Sequence, residues 1–590
     1  MKMKKNIYIL IILFSSGFSV FHSQNIDKKD INLSINDFPQ EKIFVHFNST
    51  FLVSGENLFY KIYCLNANTN KFSNLSKIAY VELINSDKST VLKHKISLKS
   101  GLGKGDFFIN TSIPSGNYKL IAYTQWMRNG GENTFFQNDI TIINPFRANK
   151  KLKVKTSEHK EAIKNENDDD IKISKSPIKS EFLEVNTNKQ SFINREKVVL
   201  TIKGLKGKLS HGNYSISVKK IDSVNAPNMI NFTSFSNKRQ LNKVTKDSIL
   251  FLPELRGELL TGRVYFKDSN IPKSNIKVGL SIPGKEYIFK IATTNKSGMF
   301  YFNVDEKYEY PNAIVQVMDV KRDGYRIELD NYKSPKFDDL SFNDFELSPS
   351  LNNLILQKSI SNQIENAYHS IKNDSIIPVK SKPLFYKSKE IKYFLNDYTR
   401  FKTLKKTITE VIDAAYVAQK NDEYTFHIKF YNQITKSDLL PLVLIDGVPI
   451  QNHNDIIDYD AKNIKSINLV RSRYNYGGQF FMGIISIETI EGDYKHFSTD
   501  SYIKYFELEK PQVNKNYFKQ VYDNNVDLKR IPDFRTQLFW FPNFKFNTDE
   551  IQFYFYTSDY IGEYEICIEG FTNNGNPVSS RKIISLKNSF

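Results

Sequence analysis

Histidines come first among residues that could do chemistry, because imidazole ligates metals and moves protons near neutral pH. The nine stand at positions 22, 46, 94, 159, 211, 369, 427, 453 and 496, no two within ten residues of each other. The His-x-x-x-His and His-Glu-x-x-His spacings that put two imidazoles on one helix face are therefore missing. Serines abound, but none sits in the Gly-x-Ser-x-Gly elbow that exposes a nucleophile. Gly101-Leu-Gly103-Lys-Gly105 has the glycines of a phosphate loop without its spacing or strand–loop–helix frame, and reads as a turn between strands. Asp168-Asp169-Asp170 lacks the spaced carboxylates and turn glycine of a calcium loop. Cys64 and Cys567 lie in strand-like runs and read as small buried hydrophobes. No catalytic, metal or cofactor residue is nominated, and the chain reads as a protein that is not an enzyme.

The elements that would have to position any such chemistry are mostly strands. The 590 residues include 45 Phe and 33 Tyr with a quarter of the chain charged, enough apolar material for several domains. Two cysteines exclude a disulfide framework and a four-cysteine zinc site. The net charge of +18 comes mainly from dispersed lysines. That pattern argues against a nucleic-acid footprint and for a solvated surface, with attraction to an anionic partner or acidic glycan as the functional alternative.

Lys2, Lys4 and Lys5 precede the apolar run Ile7–Phe14 and a small-residue exit, the layout of a cleaved signal peptide over 1–24. No later run is long enough for a transmembrane helix, so the chain is expected to be exported, periplasmic or outer-membrane-associated, without a membrane helix of its own. Residues 38–145 carry short β-branched and aromatic runs between turns such as Ser54-Gly55-Glu56, and predict a β-sandwich. Residues 146–180 are charged and poor in large apolar side chains, a flexible linker. Second and third β-domains are expected over 181–250 and 257–333, the latter with a hairpin turned by Asn295-Lys-Ser-Gly298. Residues 350–383 hold a helix and linker. An α+β block fills 384–494, with an amphipathic helix over Tyr398–Val417, and a β-domain fills 500–590. The expected fold class is multidomain and mainly β: immunoglobulin- or macroglobulin-like sandwiches plus one α+β domain.

Several segments resemble known families. Phe44-Val-His-Phe47, Ser54-Gly-Glu56, Gly103-Lys-Gly-Asp106, Pro114-Ser-Gly-Asn-Tyr118 and Ala122-Tyr-Thr-Gln-Trp-Met-Arg-Asn129 resemble the MG2 domain of the α2-macroglobulin superfamily, whose Cys-Gly-Glu-Gln thioester is absent here. Gly262-Arg-Val264, Val278 and Thr294–Phe300 resemble a carboxypeptidase-regulatory-type sandwich. Pro441-Leu-Val-Leu-Ile-Asp-Gly-Val-Pro-Ile450, Tyr476-Gly477-Gly478 and Gly483-Ile-Ile-Ser-Ile487 resemble the plug domain of TonB-dependent outer-membrane receptors of the SusC type. Only 96 residues follow Tyr494, too few for the several hundred of a receptor barrel. With Arg530–Arg535 and Leu538–Pro542, the chain resembles a Bacteroidetes family of exported proteins that combines MG2 and plug-like domains.

The resemblance implies a non-enzymatic interaction protein at the outer membrane, its plug-like domain docking on or gating a partner barrel or envelope complex. The expected contacts are Asp446, Gly447, Val448, Pro449, Tyr476, Gly477, Gly478 and Gly483. A ligand-binding component of TonB-dependent nutrient uptake, taking a small ligand, is the alternative. A macroglobulin-like protein that engages proteases is the third. No nucleic-acid partner and no cofactor is expected.

Overall fold

The computed structural model describes residues 38–147, 178–222, 250–330, 334–343, 347–378, 383–386, 390–430, 439–495, 498–522 and 530–588, with 229 and 528 standing singly. The signal peptide and almost all of the 146–180 linker, with Asp168–Asp170, lie outside the described residues. The fold is mainly β and multidomain, and no helix among the described residues is long and apolar enough to cross a membrane.

The first sandwich stacks a three-stranded sheet on a five-stranded one. Glu41–Phe47, Asn57–Asn66 and Leu102–Phe108 form the former in the order first, second, third. The larger sheet runs Phe51–Val53, Phe136–Ile143, Gly116–Tyr123, Ile78–Asn85, Thr90–Ser97. Phe44, Phe47, Tyr60, Tyr63 and Phe136 fill one core between them, with Trp126 buried in a short 3-10 turn beside it. Gly103 and Gly105 lie inside a strand, where Gly105 leaves room for the Tyr60 ring, and only Gly101 turns the chain.

A second sandwich is built from two distant parts of the chain. Gly212–Lys220 is buried along most of its length and needs a neighbour on each side. It finds them in Gly562–Thr572 and Gln537–Phe546. Lys197–Gly204 likewise sits between Leu183–Thr187 and Glu550–Tyr556. The expectation of separate domains over 181–250 and 500–590 is corrected: their strands close one sandwich around one core. Residues 503–507 are also lost to the C-terminal unit, because Ile503–Glu507 adds an edge strand to the third sandwich.

That third sandwich pairs Glu258–Phe266 with Met299–Val304 and Tyr325–Leu329 in one layer. Lys277–Ile282, Ile288–Thr293, Asn312–Val317 and Ile503–Glu507 make the other. The turn at Asn295–Gly298 forms, with Gly298 at φ 71°. It is not a hairpin, however: Ile288–Thr293 and Met299–Val304 belong to opposite layers, so the turn carries the chain across the core.

The α+β block is a five-stranded sheet ordered Ile391–Phe394, Ile464–Val470, Ile484–Thr489, Leu442–Ile445, Val448–Pro449. Its helix α2 spans only Leu404–Val411, where Tyr398–Val417 was expected. Thr403 caps the N-terminus by accepting the Lys406 N–H. At the other end Ile412 turns extended, and Ala415–Lys420 pairs with Glu423–Ile428 as a hairpin. β-branched and aromatic residues there gain cross-strand partners that a helix would deny them.

Helix α1, Asn352–Ala367, lies between the sandwiches and buries a polar face: Lys358, Ser359, Ser361 and Asn362, while Ile360 stays exposed. It docks on the turn Ser54-Gly55-Glu56. Gly55 stands at φ 97°, and a Cβ there would come within 2.9 Å of the Asn366 amide. Asn362 and Asn366 donate to the Ser54 and Gly55 carbonyls at 3.3 and 3.1 Å. The Lys358 ammonium, 1% exposed, binds Asp222 at 2.7 Å and Glu56 at 3.2 Å. Burial works against its charge, but Asp222 and Glu56 outweigh that and hold it above the ordinary lysine range. Two turns on, Glu365 accepts the Phe534 N–H at 2.6 Å. Asp222 is where the chain leaves the second sandwich, and Phe534 is where it returns.

Replacing Lys358 by Met would strip two buried carboxylates of the ammonium that pairs them, at a cost of about 3–5 kcal/mol. Urea unfolding followed by the fluorescence of Trp126 and Trp540 reads it, and adding Glu56→Gln and Asp222→Asn should restore part of the loss.

Candidate functional site

Of the eight residues singled out in the sequence, seven fall on two hairpins of the α+β block, and Gly483 lies in the connection after the second. Leu442–Ile445 pairs in parallel with Ile484–Ile487, and Ile445 faces Val448 in an antiparallel return. Asp446 and Gly447 have φ of 46° and 86°, the two positive values that a two-residue type I′ turn requires. The Asp446 carboxylate accepts the Thr489 N–H at 2.8 Å, the Thr489 hydroxyl at 2.5 Å and the Tyr494 N–H at 3.1 Å. Burial nonetheless pushes it above the usual carboxylate range, with these hydrogen bonds opposing.

This turn points into the molecule. A Cβ on Gly447 would lie 2.3 Å from the Tyr287 ring of the third sandwich. The Tyr287 hydroxyl meets that of Tyr386 at 2.7 Å and the Ser486 hydroxyl at 3.0 Å, while Tyr386 donates to Ser486 at 2.7 Å. Gln316 donates to the Pro449 carbonyl at 3.1 Å, and Gln451 to the Val317 carbonyl at 2.9 Å. Val448 and Pro449 are buried.

The second hairpin, Tyr474–Tyr476 with Gln479–Phe481, turns at Gly477 and Gly478, both at positive φ. It leans on the same sandwich. The Tyr476 hydroxyl donates to the Phe289 carbonyl at 2.6 Å, its ring stacks on Phe385 at 4.0 Å, and a Cβ on Gly477 would strike Ile291 at 2.3 Å. Gly478 is exposed, and Gly483 is packed against the Val470 carbonyl. For Asp446, Gly447, Val448 and Pro449 the expectation of a partner-docking motif is thereby corrected. The apolar run 441–450 is buried against this chain's own sandwich, because four consecutive apolar residues need cover on both faces of the sheet. Asp446–Pro449, with Tyr476 and the Gly477 backbone, build an internal joint, while Gly477 and Gly478 keep an exposed side and Gly483 packs within its own block.

A groove that the sequence did not flag separates the first and third sandwiches. It encloses about 660 Å³ beside Tyr80, Lys95, Glu254, Glu258 and Glu509. Lys95 binds Glu258 at 2.6 Å and Lys93 binds Glu509 at 3.1 Å, tying the two sandwiches across it. Glu254 accepts the Tyr80 hydroxyl at 3.1 Å. Burial first, then the Glu258 charge, raise its carboxyl to about 8, with Tyr80 and Lys95 pulling the other way. Held neutral at pH 7, it can donate a hydrogen bond or a proton at the groove wall. Glu254 falls between the segments read as domains, where its neighbours Pro253 and Leu255 carry no motif. Among the described residues no three His, Cys, Asp or Glu stand close enough together to hold a metal.

No protein-family model and no curated protein matches the sequence. Among solved structures, the chain is similar to Escherichia coli α2-macroglobulin activated by porcine elastase, at 8% identity over 93% of this chain and 44% of that one, with a TM-score of 0.24. Salmonella α2-macroglobulin reacted with methylamine aligns at 7% identity over 93% and 39%, TM-score 0.23. The Yersinia pseudotuberculosis adhesin InvE aligns at 11% over 49% and 57%, TM-score 0.13. The chain spans about two fifths of the length of the macroglobulins it matches.

Gly447→Ala should cost roughly 1–3 kcal/mol from the positive φ and the Tyr287 contact together. Amide exchange at Leu442–Ile445 should quicken, and adding Tyr287→Leu should recover the steric part only. Glu254 predicts a pH effect of definite sign. Between about 4.5 and about 8 the folded chain holds this proton and the unfolded chain does not, so stability falls as pH rises through that window. Glu254→Gln should remove that contribution. Its melting temperature relative to the parent should climb steadily towards pH 8.

Proposed function

We propose that this chain is a non-enzymatic, exported interaction protein of the cell envelope. It docks a β-structured partner, an outer-membrane barrel or an envelope complex, through the outer edge of its plug-like 384–494 block. One observation carries the reading. The sheet of that block is covered on one side by the third sandwich and ends on the other at Ile391–Phe394. Among the described residues no strand pairs with the far side of that edge.

The edge offers an unpaired row of backbone donors and acceptors, the surface on which a strand of another chain adds to a sheet. Phe394 and Tyr398 beside it are each 44% exposed, apolar area that a partner would cover. Tyr393 anchors the edge from within by donating to Asp413. The joint at Asp446–Pro449 and Tyr476 holds the block against the third sandwich, at the end of the sheet opposite this edge. The basic and apolar pattern of residues 1–24 supports export.

A photo-crosslinking residue in place of Phe394, in the full chain expressed in its native envelope, tests the reading. A discrete adduct with an outer-membrane barrel or envelope protein is expected there, and none from the same residue in place of Tyr301, which is exposed on the third sandwich. Absence of an adduct from position 394, or identical adducts from both positions, would defeat it.

A further inference from the structure

The three sandwiches converge on a cleft of about 330 Å³ lined by Lys61, Lys99, Lys104, Lys307 and Lys545 and by no carboxylate. Lys61 and Lys104 come from adjacent strands of the first sandwich, Asn57–Asn66 and Leu102–Phe108. Lys545 comes from Gln537–Phe546 of the second, and Lys307 follows Met299–Val304 of the third. Four amide side chains, Asn213, Gln512, Asn514 and Asn543, complete the polar wall.

None of the five ammonium groups forms an ion pair among the described residues. The nearest acids to Lys104, Asp106 and Asp374, are taken instead by Lys515 at 2.9 and 2.8 Å. Lys61 is 1% exposed, and its ammonium donates to a neutral partner, Asn543 Oδ1, at 2.5 Å. Like charges gathered in a concavity repel each other and focus a positive potential into it. A buried ammonium without a counter-ion is costly unless a negative group reaches it.

We propose that this cleft is a binding site for a small multivalent anion: two or more phosphate, sulfate or carboxylate groups on a compact body. The cleft lies at the small end of the range for ligand pockets, about 300–1,000 Å³, which suits a body no larger than a disaccharide. Lysines supply point charges for the anionic groups, and the amides supply both donors and acceptors for hydroxyls between them. Burial, with the Lys104 charge beside it, brings the Lys61 ammonium down to about 7, so an anion seated there would hold it charged. The site is formed by the sandwiches and the 512–514 segment, and stands independently of the docking edge on the 384–494 block.

Titration calorimetry on the full chain tests the proposal with two probes, pyrophosphate and digalacturonate. Saturable binding that weakens as salt is added is expected for at least one. The stronger of the two assigns the charge source, a phosphate compound or an acidic saccharide. Lys99, Lys307 and Lys545 are exposed, and their ammonium groups make no hydrogen bond among the described residues. Replacing all three by Ala should therefore leave the melting temperature unchanged and weaken binding at least roughly tenfold, the loss of one or more charge-assisted hydrogen bonds. Lys61→Met, which keeps the volume and removes the charge, should weaken it comparably. Failure of both probes to saturate, or parental affinity in the triple variant, would overturn the proposal.

Discussion

The fold depends on one pairing: strand Gly212–Lys220 between Gln537–Phe546 and Gly562–Thr572. Until the C-terminal strands arrive, the apolar flanks of this strand have no cover and the second sandwich has half a core. Everything between Ile221 and Thr536 is, topologically, one long insertion into that sandwich. Loop-closure entropy grows only with the logarithm of length, so a large insertion adds little to the closing cost. The closing segment must still be brought to the same place as the departing one. Helix α1 does so with charges: Lys358 holds Asp222 at the exit and Glu365 holds the Phe534 backbone at the return. Glu56 extends the same cluster to the first sandwich. Buried Arg535, paired with Asp533, and the Arg195–Asp559 bridge stand at the same seam.

This arrangement explains why residues 40–590 pack as one unit although their strands form several sheets. The insertion carries the third sandwich and the α+β block, and these are joined by tyrosine hydroxyls and glycine turns set into a shared apolar cluster of Tyr287, Phe289, Met318, Leu442, Leu444 and Ile484. Gly447 and Gly477 let backbone approach Tyr287 and Ile291 at distances no side chain would permit. A joint of that kind fixes orientation, because hydrogen bonds and close contacts are directional where apolar contact is not. The block's free edge and the lysine-lined cleft thus keep set positions on one scaffold.

Much is legible locally: an Asp-Gly pair such as Asp446-Gly447 marks a tight turn, Gly55 suits a turn with positive φ, Trp126 suits a core, and the β-branched runs mark strands. A helix is expected within 350–383 and forms over Asn352–Ala367, but the face it buries is polar, which an apolar period does not show. The same weakness lengthened helix α2 past Ile412, since Val411, Ile412 and Val417 fit a helical stripe as well as a strand. Asn295–Gly298 shows the limit of turn chemistry. It specifies a reversal of the chain but not whether the strands on either side hydrogen-bond to each other or face each other across a core.

From the sequence alone, then, the mainly β character, the turns and the lack of a recognisable catalytic motif could be read, because each follows from residues a few positions apart. Tertiary structure decided which strands share a sandwich, that the Asp446-Gly447 hairpin serves an internal joint, and where charge collects. Lys61, Lys307 and Lys545 are hundreds of positions apart, and each alone is an ordinary lysine. They become a site because the three sandwiches pack together, Lys545 being brought in by the pairing of Gly212–Lys220 with Gln537–Phe546. Partner choice among apolar strands is a property of the whole core, and no local pattern encodes it.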